Sequence, residues 1–160
     1  MDRQEFYRYL EKHSGQNGFH KMLGIEPQEV KEGYSKVVLN YREELNNPYG
    51  AVHGGVIASL IDVVIGIAVV TKIEVGERTV TADLRINYIR GLKGQKGYAI
   101  GRLIRKGKNI AVGEAEVYDS EGQLIAKATG TYYIFKIDLD LWQKQVGIDL
   151  SQMSQAKTGD

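Results

Sequence analysis

The sequence predicts an α+β fold in which an antiparallel sheet curls around a single buried helix. Val56 to Val70 forms the longest apolar stretch, interrupted only by Ser59, Asp62 and Gly66. Four β-rich runs follow it, joined mainly by tight turns, while short helices and one strand precede it. A helix that is hydrophobic nearly all round must be covered on most sides. One sheet wrapped around it is the economical solution.

The elements follow in chain order. Phe6, Tyr9, Leu10 and His13 have helical spacing, predicting a helix over 2–13 that stops at Ser14-Gly15. Phe19, Met22 and Leu23 repeat that spacing over one short turn, which Gly24 closes. Beyond Pro27 the period changes, and Val37, Leu39 and Tyr41 alternate with Lys36, Val38 and Asn40 in a strand over about 33–42. Asn46-Asn47-Pro48-Tyr49-Gly50 is a turn cluster, since Asn and Gly accept unusual dihedrals and Pro fixes its own. The apolar helix comes next. It is shorter than the roughly 20 residues a membrane span needs, and it carries a carboxylate at its centre.

From Thr79 the alternation is the cleanest in the chain. Val80, Ala82, Leu84, Ile86 and Tyr88 are expected on one face, with Thr79, Thr81, Asp83, Arg85 and Asn87 on the other. Runs at about 96–105, 109–118 and 123–136 read as three further strands. Lys106-Gly107-Lys108 and Asp119-Ser120-Glu121-Gly122 are short enough to be hairpin turns between them. Leu139, Trp142 and Val146 return to helical spacing before a polar tail, Ser151 to Asp160, that is expected to fray. Residues 1–160 thus read as one domain, with the 2–13 helix and the 137–160 segment peripheral to it.

Composition removes many chemistries. Lys+Arg number 21 and Asp+Glu 20, a net charge of +1, which argues against bulk attraction to nucleic acid or to an anionic membrane. The absence of Cys excludes disulfides, thiolate nucleophiles and Cys-held metals. Three scattered histidines, His13, His20 and His53, do not suggest a metal site. Met1 leads directly into Asp2-Arg3-Gln4-Glu5, so no secretory signal is expected and the cytoplasm is the default address. The common nucleotide-binding, serine-hydrolase and zinc-protease motifs are absent from the sequence.

One constellation remains: Asn47, His53-Gly54-Gly55, Asp62 and Thr81. A carboxylate among Leu60, Ile61, Val63 and Val64 is unfavourable unless it is hydrogen-bonded or paired. Asp62 either caps nearby backbone at a wet edge of the helix or is a general base or nucleophile. His53-Gly54-Gly55 falls where loop becomes helix, and the first N–H groups of a helix have no internal partners. Two glycines would let a carbonyl oxygen approach those donors; equally, they could serve only a tight turn. His53 and Asp62 are nine positions apart, which is about 13.5 Å of helical rise. One helix therefore cannot bring both its N-terminus and Asp62 to the same substrate atom. Acting together, they must come from two subunits related by a two-fold axis with antiparallel central helices. Ser59 is about 9 Å of rise from His53, so the two are not a catalytic pair within one helix.

Asn47-Pro48-Tyr49-Gly50-Ala51-Val52-His53-Gly54-Gly55, then Asp62 in an apolar helix, then Thr79 to Tyr88, resembles the hotdog-fold acyl-CoA thioesterases of the PaaI and acyl-CoA thioesterase 13-like group. The likeness covers about residues 17–136. It implies a helix wrapped by a sheet, homodimers with sites at the subunit interface, and often tetramers built from two such dimers. It implies that Asp62 is the general base or nucleophile and that the Gly54 N–H binds the thioester carbonyl. Asn47 would help to place the attacking water or the thioester, with His53 shaping the same loop, and Thr81 would supply a strand hydroxyl where some members have Ser. Gly55 and Val80 are expected beside the substrate. The substrate implied is an acyl-CoA, with coenzyme A a part of it and no separate cofactor or metal.

Coenzyme A carries several phosphate charges. Arg90 and Lys93, with Lys96, flank one loop, while Arg105, Lys106 and Lys108, with Arg102, surround a hairpin. Either cluster could meet the phosphates or simply solvate a turn. Neither is interleaved with aromatics in the manner of a nucleic-acid surface. The rival reading from another class is a non-catalytic acyl-CoA sensor on the same fold. It would not need the acidic residue in the helix. A hotdog hydratase ranks third. The acyl group is not legible: phenylacetyl-type and medium-chain substrates both suit the family, and no residue favours either.

Overall fold

A computed structural model describes residues 3–74 and 76–138. Among the described residues three α-helices, α1 (Arg3–His13), α2 (Gly18–Leu23) and α3 (Gly54–Val70), accompany six strands. The strands are β1 (Ile25–Lys31), β2 (Tyr34–Leu39), β3 (Glu77–Tyr88), β4 (Gly97–Lys106), β5 (Ile110–Asp119) and β6 (Leu124–Lys136). They form one antiparallel sheet in the order β1-β2-β4-β5-β6-β3, and α3 lies against it. The spacing of Leu139, Trp142 and Val146 and the polar tail lie outside the described residues.

Local chemistry explains why the short helices stop where they do. Asn17 opens α2 by accepting the His20 N–H on its side-chain oxygen at 2.8 Å. Gly24 closes α2 with a φ of 70°, the left-handed value that glycine adopts without penalty.

The helix sits unusually near the strands, and small residues are the reason. Across four strands, Ser35, Gly101, Ala115 and Ala128 lie opposite one another in register, a trough of small side chains. A β-carbon on Gly101 would stand 2.5 Å from the Val64 carbonyl oxygen, and one on Gly113 would stand 2.5 Å from Ile65 Cγ2. Ser35, fully buried, donates to the same Val64 carbonyl at 2.6 Å, so its hydroxyl is satisfied inside the core. Leu60, Ile61, Val64 and Ile65 on α3 have no exposed surface. Each such side chain contributes about 1.5–3 kcal/mol. The opposite flank of α3 is different: Val56, Ser59, Asp62, Val63 and Gly66 are only partly covered.

The observed fold departs from expectation in three places. A strand, β1, precedes the expected one. Pro27 concealed it, because proline cannot donate to a ladder. Here it is tolerated because β1 is an edge strand whose pairing with β2 shifts between Pro27 and Glu29. The meander comprises only β4, β5 and β6. β3 lies at the far edge beside β6, so the 89–96 loop crosses the end of the sheet.

The third departure concerns faces. Pairing of β3 with β6 shifts between Thr81 and Asp83, leaving Ala82 as an extra, bulged residue. The continuous Val80-to-Tyr88 face therefore does not exist. Thr81 shares its face with Leu84 and Ile86, while Val80 is on the other side, 52% exposed beside Tyr133.

Candidate active site

Asp62 lies in the middle of α3, on the partly covered flank that faces β3 and β6. Its Oδ1 accepts a hydrogen bond from Thr81 Oγ1 at 2.7 Å and another from the Tyr132 hydroxyl at 2.9 Å. The bulge at Ala82 matters here, since it is the pairing before the shift that sets Thr81 directly opposite Tyr132. Both hydroxyls consequently reach the same carboxylate oxygen. Among the described residues no donor reaches Oδ2. Tyr132 is buried, and burial, followed by the neighbouring Asp62 carboxylate, pushes its phenol well above the ordinary value. It is a hydrogen-bond donor throughout the physiological range. Local sequence patterns do not reveal Tyr132. Its position opposite Thr81 depends on strand pairing.

The N-terminus of α3 is built around His53, the capping residue. Its Nδ1 accepts the Gly55 N–H at 2.9 Å, so the ring proton is on Nε2. Its own N–H donates to the Leu45 carbonyl at 2.8 Å, and its carbonyl accepts the Val56 N–H at 2.9 Å. With Gly55 occupied by the imidazole, the Gly54 N–H has no acceptor among the described residues. It points out of the helix at the positive end of the dipole. The Tyr88 hydroxyl donates to the Gly54 carbonyl at 3.0 Å. Tyr88 thereby fixes the first turn from β3, and its ring is in contact distance of where a Gly54 side chain would begin.

Asn47 shapes the approach loop. Its Oδ1 accepts the Tyr49 N–H at 2.9 Å and the Ala51 N–H at 3.3 Å, which holds the 47–51 turn closed. Its side-chain NH2 is left without an acceptor among the described residues. Ser59 donates to the Gly55 carbonyl at 2.9 Å and is spent on its own helix.

The remaining candidates separate into two groups. Arg90 and Lys93 belong to the loop that crosses the Gly54 end of the sheet, where Val52 N–H donates to the Leu92 carbonyl at 2.8 Å. Arg90 also donates to the Leu124 carbonyl at 3.0 Å. Arg105, Lys106 and Lys108 lie at the other end, beyond the C-terminus of α3, and Lys106 pairs with Glu77 at 3.3 Å. Val80 is on the sheet face turned away from Asp62. Within one chain, then, Asn47, His53, Gly54, Gly55, Arg90 and Lys93 gather at one end, and Asp62 with Thr81 and Tyr132 near the middle. Gly54 and Asp62 are eight positions apart on one unbroken helix, about 12 Å of rise.

The Thioesterase superfamily profile matches residues 49–126, the segment that holds His53, Gly54, Asp62 and Thr81. SSO1253 of Saccharolobus solfataricus, provisionally named an esterase, is 35% identical over 114 residues, covering 71% of this chain and 75% of that protein. The chain belongs to the Thioesterase superfamily. As a member it is a thioester hydrolase, and its six-stranded sheet with one long packed helix is the hotdog fold. The medium/long-chain acyl-CoA thioesterase YigI of Escherichia coli is 29% identical over 131 residues, covering 72% of this chain and 84% of YigI. The Escherichia coli PaaI protein from the phenylacetic acid degradation operon superposes with a TM-score of 0.71 at 22% identity, covering 81% of this chain and 93% of PaaI. That likeness establishes the fold. The described residues contain no helix long and apolar enough to cross a membrane.

Proposed function

We propose that this thioesterase hydrolyses acyl-CoA thioesters to the free acid and coenzyme A, at sites shared between two copies of the chain. The observation that carries the reading is the carboxylate of Asp62, with Oδ1 held by two hydroxyls and Oδ2 left open, in an otherwise apolar helix. An open carboxylate oxygen can take a proton from water. The resulting hydroxide then adds to the thioester carbonyl carbon. Alternatively Oδ2 attacks that carbon itself, the C–S bond breaks, and water later cleaves the acyl–aspartate anhydride. In both routes negative charge grows on the carbonyl oxygen, and the coenzyme A thiolate leaves and is protonated. The Gly54 N–H of a second copy receives the developing oxyanion, aided by its helix dipole. Asn47 and His53 hold the loop that delivers the thioester, and Thr81 orients Asp62.

Two features support a two-fold dimer. The 12 Å separating Gly54 from Asp62 within one chain is too great for a common substrate atom. β3 is an edge strand of 12 residues whose central part is exposed, ready to pair with its counterpart in a second copy. The name of YigI supports coenzyme A as the carrier of the acyl group. Arg90 and Lys93, at the Gly54 end, would meet its phosphates. No metal or redox cofactor enters either route.

The decisive variant is Asp62→Asn, assayed by thiol release across a panel of aliphatic and aromatic acyl-CoAs. We expect kcat to fall by about 10²–10⁴-fold with the oligomer intact. Near-parental turnover would refute the mechanism. Oxygen-18 water under single-turnover conditions separates the two routes: label incorporated into Asp62 identifies the anhydride path.

A further inference from the structure

The reaction proposed above gives Tyr132 no role of its own, yet its environment is specialised. Strand β6 turns Ala126, Ala128, Gly130, Tyr132 and Ile134 towards the core, and only Tyr132 in that row is polar. Its ring occupies a slot between two glycines. A β-carbon on Gly130 would stand 3.1 Å from Tyr132 Cε2, and one on Gly66 of α3 would stand 3.7 Å from Cε1. The strand glycine therefore sets the ring's position, since any side chain there would displace it. The helix glycine stands over the other edge of the ring, at a distance that is ordinary van der Waals contact. At the end of this slot the hydroxyl is 2.9 Å from Asp62 Oδ1 and 2.9 Å from the Asp62 backbone carbonyl. It has one proton for two acceptors. The backbone carbonyl belongs to the helix ladder, whereas a carboxylate bond is charge-assisted and stronger.

Thr81 Oγ1 meets the same Oδ1 from the opposite strand at 2.7 Å. Two donors converging on one oxygen remove the freedom of the carboxylate to rotate. One donor alone would leave it a pivot. Tyr132 is 2% exposed, so its hydroxyl is held by the packing around its ring.

We propose that Tyr132 is a positioning residue for the hydrolysis: its buried hydroxyl, together with Thr81, pins Asp62 Oδ1 so that Oδ2 alone is presented for reaction. This rests on the reading of Asp62 as the reacting carboxylate. A misplacement of about 1 Å in a reacting group can cost about 10²-fold in rate, so the pin acts on the chemical step and not on substrate affinity.

The test is Tyr132→Phe in the full chain, assayed with octanoyl-CoA. The expected result is a kcat lowered by about 10- to 100-fold with KM within about two-fold of the parent. The double variant Thr81→Val/Tyr132→Phe should lose less than the product of the two single losses, because both hydroxyls restrain one oxygen. A kcat within two-fold of the parent, a loss confined to KM, or fully multiplicative losses would each overturn the proposal. A hydroxyl that merely satisfied the α3 carbonyl would lower the melting temperature and leave kcat alone. Should Tyr132→Phe not accumulate as folded protein, Thr81→Val on the exposed strand carries the same kcat test, and an unchanged kcat there overturns the pin. Asp62→Asn keeps the two levels apart. If that variant retains turnover, the underlying reading fails; if it is inactive while Tyr132→Phe is unimpaired, only the pin fails.

Discussion

The two edges of the sheet are treated in opposite ways. Each edge strand carries one bulged residue, Gln28 in β1 and Ala82 in β3. There the similarity stops. β1 has 7 residues and contains Pro27, and α1 covers it: Glu11 Oε1 accepts the Val30 N–H at 2.7 Å and Arg3 pairs with Glu32 at 2.7 Å. β3 has 12 residues, and its central part, Val80 to Asp83, is exposed. Long open edges invite pairing with another chain and are normally blunted. This protein blunts one edge and leaves the other open beside Asp62. In the proposed dimer, assembly and chemistry share the β3 side, away from the covered β1 edge.

That contrast can be broken most severely at Ala82. It is at the midpoint of β3, where a two-fold pairing of whole strands would bring the two copies together. Ala82→Glu sets like charges across the pairing, a cost of several kcal/mol. We expect light scattering after size exclusion to show monomers, with turnover per chain lower by about 100-fold. A smaller effect is expected at the covered edge. Glu11→Ala strips the acceptor from the Val30 N–H and should lower unfolding stability by about 1–3 kcal/mol in denaturant titration, with assembly and turnover unaltered. Smallest of all is Gln28→Glu, the β1 counterpart of the Ala82 change. It should shift stability by less than about 0.5 kcal/mol and leave both oligomer and activity as they were. Equal responses to Ala82→Glu and Gln28→Glu would erase the distinction between the edges.

What could be read from the sequence was whatever depends on local pattern. The apolar helix and its lone carboxylate stood out because Asp62 interrupts a run that has no other charge. His53-Gly54-Gly55 stood out because loop chemistry meets helix chemistry there. What local pattern misses is register. Pro27 hides β1, since its tolerance depends on β1 being at an edge. The bulge at Ala82 exchanges the two faces of β3 part-way along, so Thr81 turns inward and Val80 outward against the alternation. Tyr132 becomes relevant only through its pairing with Thr81, across a separation of 51 positions in the chain. The basic residues, similar in composition, proved to lie at opposite ends of the sheet because β4 runs between them.

The trough of Ser35, Gly101, Ala115 and Ala128 has a bearing on how such a protein could diversify. With α3 bedded so near the strands that one methyl group at Gly101 would strike main chain, no room for a longer or bulkier acyl group can be carved from beneath the helix. Space for a substrate is left instead on the partly covered flank of α3, which carries Val56, Ser59 and Val63. The buried side is the packed frame, and the flank is where a change of side-chain size would alter the space beside Asp62 at least cost to that packing.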